Sequence, residues 1–194
     1  MIDSTWINGW LLRASRRASP NFGPRPGGAQ VSLAVIHSIS LPPGDYGGDA
    51  VERLFANRLD GAEHPYYERL RGMQVSAHFL IRRGGELQQF VSCDDRAWHA
   101  GLSSWRGRAN CNDYSVGIEL EGVEGALFEG AQYGALASLL VELARCYPIR
   151  EVAGHEHVAP GRKQDPGAGF DWMRLIGALG WPDNGFPAAV IERD

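Results

Sequence analysis

The sequence predicts a single α/β domain in which helices flank a mixed β-sheet. At 194 residues, the chain has the length of one domain and lies well above the size at which a core becomes marginal. Hydrophobic residues make up 44% and charged residues 22%, values close to the globular average that argue against disordered and fibrous classes. Short apolar runs alternate with helical patterns along the chain, which is typical of a mixed α/β fold.

The first predicted strand and helix follow a loop-like segment at residues 1–30. Residues 31–37 form a short apolar, β-branched run of the kind found in buried strands, and this run ends on His37. The turn sequence LPPGDYGG comes next. Asp49 is then placed to cap a helix that extends to about residue 57.

A long loop is expected over residues 58–74, and a hairpin follows it. The segments VSAHFLIRR and ELQQFVS flank Gly84 and Gly85. Glycine accepts the positive φ angles that tight hairpins require, so these two segments are predicted to pair.

The second half of the chain predicts two strands and two helices. Residues 116–121 alternate between apolar and polar side chains, and residues 149–153 form a short strand. A helix is predicted over residues 131–147, before Pro148, and another over residues 170–179, closed by Gly180. The apolar stripe of the longer helix comprises Leu136, Leu139, Leu140, Leu143, Ala144 and Tyr147.

Charge, cysteine content and hydropathy narrow the class of function. A net charge of -4 does not indicate the excess of positive charge that binding to nucleic acid or anionic lipid requires. Cys93, Cys111 and Cys146 are too few and too scattered for a disulfide framework or a thiolate zinc site. The N-terminus lacks the apolar run of a signal peptide, and no stretch approaches the ~20 apolar residues of a membrane span. We therefore expect a soluble cytoplasmic protein with reduced thiols.

Residues 154–167 read GHEHVAPGRKQDPG and combine metal-ligating side chains with glycine and proline. This composition favours an irregular, rigid loop, where binding groups concentrate. His155 and Asp165 offer an imidazole nitrogen and a carboxylate oxygen, which suit zinc. His37 is the candidate third ligand. Two histidines and one carboxylate leave a fourth position open, as in catalytic rather than structural zinc sites.

Amide hydrolysis at such a metal also requires a base and a group that stabilises the oxyanion. Glu119, on the polar side of its strand, is the candidate base. Lys163, two residues before Asp165, is the candidate cation. The alternative is that Glu119 and Glu121 form the solvated face of an edge strand.

The residues alone leave other assignments open. Iron takes the same donor set as zinc. An isolated strand-end histidine such as His37 is more often packed than metal-bound. His155 and His157 would point to the same side of an extended segment, so the pattern does not choose between them. The remaining candidates receive lesser roles: His78 and His99 as structural or substrate-lining residues, His64 as a loop residue, and Cys111 as a bystander without a nucleophile signature.

Five segments resemble, in order, those of the AmpD-type, cytoplasmic branch of the zinc-dependent N-acetylmuramoyl-L-alanine amidases: VIHSISLPPGDYGG, VSAHFLIRRGGELQQFV, RAWHAG, NDYSVGIELEG and GHEHVAPGRKQDPG. The resemblance implies an amidase domain over residues 31–181, a lead-in at 1–30 and a tail at 182–194. It also implies a mixed sheet flanked by helices and favours His155 over His157. The implied roles are zinc ligands for His37, His155 and Asp165, general base for Glu119, and stabiliser of the tetrahedral intermediate for Lys163.

The resemblance extends to the substrate groove, which it implies is lined by Tyr66, Ala97 and Trp98. His157 is a departure from the family, because a small polar or acidic residue is expected there. Gln74 and Asn110 are further departures at positions where the family tends to have basic residues. Arg108 is the candidate substitute for recognising the carboxylates of the stem peptide.

The function implied by the resemblance is zinc-dependent hydrolysis of the amide between the lactyl group of anhydro-N-acetylmuramic acid and L-alanine, in cytoplasmic cell-wall recycling of a Gram-negative bacterium. We expect zinc as cofactor, an anhydromuropeptide as substrate, and a monomer without nucleic-acid or membrane partners. Lower muropeptide levels would mute inducible β-lactamase control. The alternatives are a general amidase acting on peptidoglycan polymer and a non-catalytic peptidoglycan-binding module. Retention of all five candidate site residues argues against the binding module.

Overall fold

A six-stranded mixed sheet lies at the centre of the computed structural model, which describes residues 5–192. The strands are β1 (Trp6–Ile7), β2 (Trp10–Leu11), β3 (Ser15–Arg16), β4 (Phe22–Pro24), β5 (Leu33–Ile39), β6 (Phe79–Ile81), β7 (Leu87–Gln89), β8 (Asp95–Ala97), β9 (Ser104–Trp105), β10 (Arg108–Ala109), β11 (Ser115–Glu121) and β12 (Glu151–Gly154). The central sheet has the order β12-β5-β11-β6-β7-β3. Only the β6–β7 pair within it is antiparallel, so the predicted mixed sheet is confirmed.

Helices cover the sheet, and three 3₁₀ turns lie in its connections at Gly61–Glu63, Cys111–Asp113 and Asp183–Gly185. The helices are α1 (Ala50–Phe55), α2 (Pro65–Glu68), α3 (Gly130–Cys146), α4 (His155–Val158), α5 (Trp172–Leu179) and α6 (Ala188–Ile191). Within residues 5–192, no helix combines the length and apolar character needed to cross a membrane.

The two faces of the central sheet pack against different hydrophobic cores. Ile36 and Ile118 belong to the hydrophobic core that includes the buried leucines of α3. Leu33 and Val35 belong to a separate core on the opposite face. Because side chains alternate along a strand, His37 continues the face of Leu33 and Val35. The same face of the sheet therefore carries apolar packing at one end and His37 at the other.

The predicted strand and helix before residue 58 are both present, with shifted limits. The loop-like character predicted for residues 1–30 is wrong for their described part, because β1 to β4 lie there and β3 pairs with β7 at the edge of the central sheet. β5 continues to Ile39, so His37 lies two residues inside the strand, and its predicted position at the strand end is wrong. Asp49 is the N-cap residue of α1, but its side chain makes no capping hydrogen bond. Its carboxylate instead forms an ion pair with Arg53 at 3.1 Å.

Two segments predicted as loops contain helical turns. Within residues 58–74, His64 caps α2 through Nδ1, which accepts the Tyr66 backbone N–H at 3.0 Å. The segment HEHV forms α4 although glycine and proline surround it. The reason is that the glycines and prolines lie outside this single turn, where they do not disturb its hydrogen bonds.

The strands and helices predicted after residue 74 agree more closely with the structure. The hairpin is confirmed as β6 and β7, and Gly85 adopts φ +90°, which requires glycine. Helix α3 carries the predicted stripe, and Gly180 closes α5 with φ +60°. All seven residues of β11 are buried, since this strand lies between β5 and β6. The edge-strand alternative for Glu119 and Glu121 is therefore wrong.

Candidate functional site

A cleft of about 430 Å³ opens at the carboxyl ends of the central parallel strands. Such ends are the usual position of ligand sites in α/β sheets, because loops there diverge from one another. His37 and Glu119 reach the cleft from β5 and β11. His155 begins α4 directly after β12, and Asp165 follows in the next loop. Two strands, helix α4 and one loop thus bring the four candidate residues together.

Three buried donor atoms converge in this cleft. Nδ1 of His37 lies 2.9 Å from Nδ1 of His155 and 3.2 Å from Oδ2 of Asp165. Nδ1 of His155 lies 3.0 Å from the same carboxylate oxygen. In the described part of the chain, these residues form the one group of three or more side chains that is close enough to hold a metal ion. Zinc contacts such donors at about 2.0–2.2 Å, so one ion can reach all three.

Hydrogen bonds behind each ring show which nitrogen carries the proton. The carbonyl of Ala100 only accepts, so Nε2–H of His155 donates to it at 3.2 Å. Nε2 of His37 lies 2.9 Å from Nδ1 of His99. Because the Ser115 hydroxyl donates to the Cys111 carbonyl, Nε2 of a neutral His99 donates to Ser115, and His37 is then the donor to His99 Nδ1. A neutral imidazole has a single N–H, so both Nδ1 atoms are bare acceptors. Two bare nitrogens and the Asp165 carboxylate would repel one another unless a cation lies between them. The donor set therefore fits a metal ion.

Burial keeps the imidazoles of His37 and His99 neutral. Desolvation, followed by repulsion from His155, lowers the pKa of His37 to about 4. Desolvation, with smaller contributions from His37 and His78, holds the pKa of His99 well below its usual value. Metal ligation requires the neutral form of histidine, so His37 is held in the form that a metal needs.

Glu119 is the buried carboxylate beside the three donors. Its Oε2 has no hydrogen-bond partner among residues 5–192. Desolvation and then repulsion from Asp165 raise its pKa well above the usual value, against the opposing charge of Lys163. A carboxylate with a free oxygen and a raised pKa is suited to take a proton from water.

Glu121 lies on the same strand but outside the cleft. Its carboxylate accepts hydrogen bonds from the Arg82 guanidinium at 2.7 Å and from the backbone N–H groups of Gly47 and Arg83. Although burial raises the pKa of Glu121, these hydrogen bonds lower it overall. Arg82 also forms an ion pair with Glu52 of α1 at 3.0 Å. Glu121 thus holds the turn at Gly47 and the hairpin together.

Lys163 is the single lysine of the sequence, and it lies on the rim of the cleft with Glu119 and Asp165. All other positively charged side chains are arginines. The neighbouring Arg162 is directed away and donates to the carbonyls of Ala100 and Leu102. The positive charge at the cleft is therefore the compact ammonium of Lys163 and not the planar guanidinium of Arg162.

His157 lies outside the donor cluster. Because HEHV is helical rather than extended, His155 and His157 do not share a face. Nδ1 of His157 accepts the Gly154 backbone N–H at 3.0 Å, and its ring packs edge-on against Trp172. The geometry brings His155, and not His157, to the other two donors.

The predicted groove residues divide into two groups. Tyr66 and Trp98 line the cleft. Ala97 is fully buried in β8 and does not line it. Arg108 lies outside the cleft and stacks on Tyr114, with its guanidinium carbon 3.7 Å from the ring centroid. Asn110 adopts φ +57°, a conformation that asparagine tolerates better than most residues.

Sequence reasoning did not single out Ser115 or Arg25. Ser115 Oγ lies 3.2 Å from Nε2 of His99, which brings it behind the donor cluster. The partly buried guanidinium of Arg25 donates to four main-chain carbonyls, including those of Cys93 and Ser115. Ser115 lies within the segment NDYSVGIELEG, but the partner that gives it a role, His99, comes from another segment. Most of the carbonyls that Arg25 binds are about 70–90 residues away in the chain.

The chain is similar to known amidases in sequence and in fold. It matches the family model described as N-acetylmuramoyl-L-alanine amidase over residues 27–168. It is 47% identical over 169 residues to the 1,6-anhydro-N-acetylmuramyl-L-alanine amidase AmpD of Escherichia coli K12, covering 86% of this chain and 92% of that protein. A crystal structure of a selenomethionine AmpD derivative matches with a TM-score of 0.87 and 47% identity, over 89% of this chain and 98% of that chain. The complex of E. coli AmiD with anhydro-N-acetylmuramic acid-L-Ala-D-γ-Glu-L-Lys matches with a TM-score of 0.56 and 31% identity, over 79% of this chain and 60% of that chain.

Proposed function

Because this chain belongs to the N-acetylmuramoyl-L-alanine amidase family, we propose that it hydrolyses the amide between the lactyl group of 1,6-anhydro-N-acetylmuramic acid and L-alanine. The observation that carries the proposal is the convergence of His37, His155 and Asp165 beside the unpartnered Glu119 carboxylate. The similarity to AmpD over most of both chains supports the anhydro sugar as the preferred substrate.

We assign zinc to the cluster of His37, His155 and Asp165, since two imidazoles and one carboxylate are its usual ligands at catalytic sites. When bound, zinc supplies a Lewis acid that polarises the scissile carbonyl and lowers the pKa of water. His37, His155 and Asp165 would hold the ion, and a catalytic zinc with three protein ligands would keep one further position for a reacting group.

Glu119 acts as the general base. Its free Oε2 accepts the proton of the attacking water, and the resulting carboxylic acid then donates that proton to the amine of L-alanine as the C–N bond breaks. Desolvation and then the charge of Asp165 raise the pKa of Glu119, so its carboxylate is a stronger base than a solvated one.

Lys163 stabilises the oxyanion of the tetrahedral intermediate. Its ammonium lines the cleft close enough to Glu119 to affect the pKa of that carboxylate. Negative charge that develops on the carbonyl oxygen is stabilised most where a cation is already in place before the reaction.

The remaining walls of the cleft bind the substrate. Tyr66 and Trp98 offer aromatic surfaces, and Leu54, Phe55 and Leu70 form an apolar wall. Small-molecule sites commonly combine such walls with a few polar groups, which fix the orientation of the ligand. We propose that the sugar and the first stem residues occupy this part of the cleft.

Hydrolysis of purified substrates tests this function. The protein is incubated with an anhydromuropeptide, with the matching reducing-sugar muropeptide and with peptidoglycan polymer, each with and without a chelator. We expect release of the stem peptide, fastest from the anhydro substrate and abolished by the chelator. Equal or faster cleavage of polymer would instead support a general peptidoglycan amidase. Binding without cleavage in any arm would support a peptidoglycan-binding module.

The cellular role follows from this substrate. We propose that the enzyme acts in the cytoplasm on muropeptides recovered from the cell wall. Their removal would lower the signal that controls inducible β-lactamase. Deleting the gene in its host should therefore raise the cytoplasmic anhydromuropeptide concentration, measured by mass spectrometry.

A further inference from the structure

We propose that His99 and Ser115 are positioning residues that fix the orientation of the His37 ring and the nitrogen that carries its proton. Their effect is to present a bare Nδ1 of His37 to the metal ion. The inference rests on the metal site of the proposed function and concerns residues that do not themselves ligate.

Three hydrogen bonds link the carbonyl of Cys111 to His37 through Ser115 and His99, and the carbonyl fixes the donor in each of them. The carbonyl of Cys111 is only an acceptor, so the hydroxyl of Ser115 donates its proton to it, at 2.6 Å. Ser115 Oγ is then left as an acceptor for Nε2–H of His99, 3.2 Å away. A neutral His99 has no second proton, so its Nδ1 is an acceptor.

The next bond in the chain reaches the metal ligand. His99 Nδ1 lies 2.9 Å from Nε2 of His37, which must therefore be the donor. This leaves Nδ1 of His37 without a proton, facing His155 and Asp165. A main-chain carbonyl of the 3₁₀ turn thus determines, through two side chains, which nitrogen of His37 can bind metal.

The sheet makes room for this arrangement at Gly117. A Cβ atom at this position would clash with the ring of His99. Gly117 lies on β11 between Ser115 and Glu119, so the strand that provides the candidate base also provides the space for His99 and its hydrogen-bond partner. The ring of His99 stands edge-on to that of His37, with centroids 5.0 Å apart.

Such supporting hydrogen bonds affect metal affinity. Loss of the acceptor behind a ligating histidine typically weakens metal binding by about 10–100-fold. Most ligating histidines donate to a carboxylate, a carbonyl or water. Here the acceptor is a second neutral imidazole, whose own proton is fixed by Ser115.

NMR of the ¹⁵N-labelled zinc protein gives the first test. Two-bond ¹H–¹⁵N correlations identify which ring nitrogen of His99 carries the proton. We expect Nε2–H for His99 and, in His37, Nε2–H with zinc on Nδ1. A His99 ring protonated on Nδ1 would overturn the proposal, because that nitrogen could not then accept from His37.

Zinc affinity, measured by competition with a chromogenic chelator, gives the second test. His99→Leu removes the acceptor and should weaken binding by about 10–100-fold. His99→Asn can place its amide oxygen near the position of Nδ1 and should recover most of this loss. Ser115→Ala should weaken binding in the same direction by a smaller factor. Circular dichroism establishes that each variant is folded before its affinity is compared.

The outcomes separate this proposal from the proposed function. If the wild-type chain does not bind zinc, the proposed metal site itself fails. If the wild type binds zinc and folded His99→Leu binds it equally well, the metal site stands and the positioning role is overturned. Equal losses in His99→Leu and His99→Asn would also overturn it, since an acceptor would then not be what His37 requires.

Discussion

Glu119 lies directly opposite His37 in the parallel pairing of β11 with β5. Residues paired in this way project from the same face of a sheet, and neighbouring strands are about 4.8 Å apart. The main chain therefore sets the spacing between the candidate base and a candidate metal ligand. Because both strands are central, this spacing does not depend on a mobile loop.

Replacing Glu119 by glutamine tests its role as a base. We expect Glu119→Gln to lower kcat by about 10²–10⁴-fold, the usual contribution of a general base, because the amide cannot take up a proton. Zinc content should be unchanged, since Glu119 is not one of the three converging donors. Steady-state kinetics and elemental analysis on the same sample measure both. Simultaneous loss of zinc would make Glu119 part of the metal site.

Glu121→Gln is the matched control on the same strand. This change weakens the hydrogen bonds with Arg82 and two backbone N–H groups, so we expect a loss of about 1–3 kcal/mol in the free energy of unfolding. The kcat of the folded variant should stay close to that of the wild type. Urea denaturation and kinetics separate the two effects. A kcat as low as that of Glu119→Gln would mean that the base is misassigned.

The proposed metal ligands are tested by single substitutions with an internal control. His37→Ala and Asp165→Ala each remove one of three donors, so elemental analysis should find much less zinc than the expected one ion per chain. His157→Ala should retain zinc, because the ring of His157 is directed toward the Gly154 N–H and Trp172. Full occupancy in both ligand variants, or loss in His157→Ala, would contradict the assignment.

Much of the fold and the site could be predicted where a local pattern decides the structure. The stripe of α3 and the closure of α5 at Gly180 follow from residue spacing and from the freedom of glycine at positive φ. His155 and Asp165 offer zinc-type donors within one segment rich in glycine and proline, so the sequence alone indicates a metal site there. The choice of His155 over His157 and the role of His37 follow from the family resemblance instead.

The remaining features depend on contacts between distant parts of the chain. Alternation along β11 suggests a half-exposed strand, but neighbours on both sides bury Glu121, which ion pairs with Arg82. The sequence gives no sign that Ser115 contacts His99, because only the fold brings the two side chains together. Neither Ala97 nor Arg108 lines the cleft, so the geometry does not support their predicted roles in substrate binding, which remain predictions.

Acid should destabilise the protein through His78. Desolvation, followed by repulsion from Arg25, lowers the pKa of this buried histidine from 6.5 to about 3. The unfolded chain therefore binds a proton that the folded chain does not, so stability is complete above pH 6.5 and falls toward pH 3. The slope approaches about 1.4 kcal/mol per pH unit. Urea denaturation should show a loss from this group of about 1.4 kcal/mol between pH 7.5 and 5.5.

His78→Asn provides the comparison for this pH effect. Asparagine can still accept the Gly117 N–H, which His78 binds through Nδ1 at 3.0 Å, but it does not titrate. The variant should be less stable at pH 7.5 and should lose less stability on acidification than the wild type. Parallel pH profiles for the two proteins would show that His78 is not the group responsible.

Substitution of Lys163 tests the stabilisation of the oxyanion. Lys163→Met keeps the length of the side chain and removes its charge, so we expect retained zinc, a KM within a few-fold of wild type, and a kcat lower by about 10²-fold or more. Lys163→Arg should recover only part of the rate, because a planar guanidinium does not place its charge where a compact ammonium does. Arg162→Met is the neighbouring control. It removes hydrogen bonds to Ala100 and Leu102, and we expect it to affect stability more than kcat. A Lys163→Met variant with raised KM and unchanged kcat would make Lys163 a binder of the ground-state substrate, and the oxyanion would then require another partner.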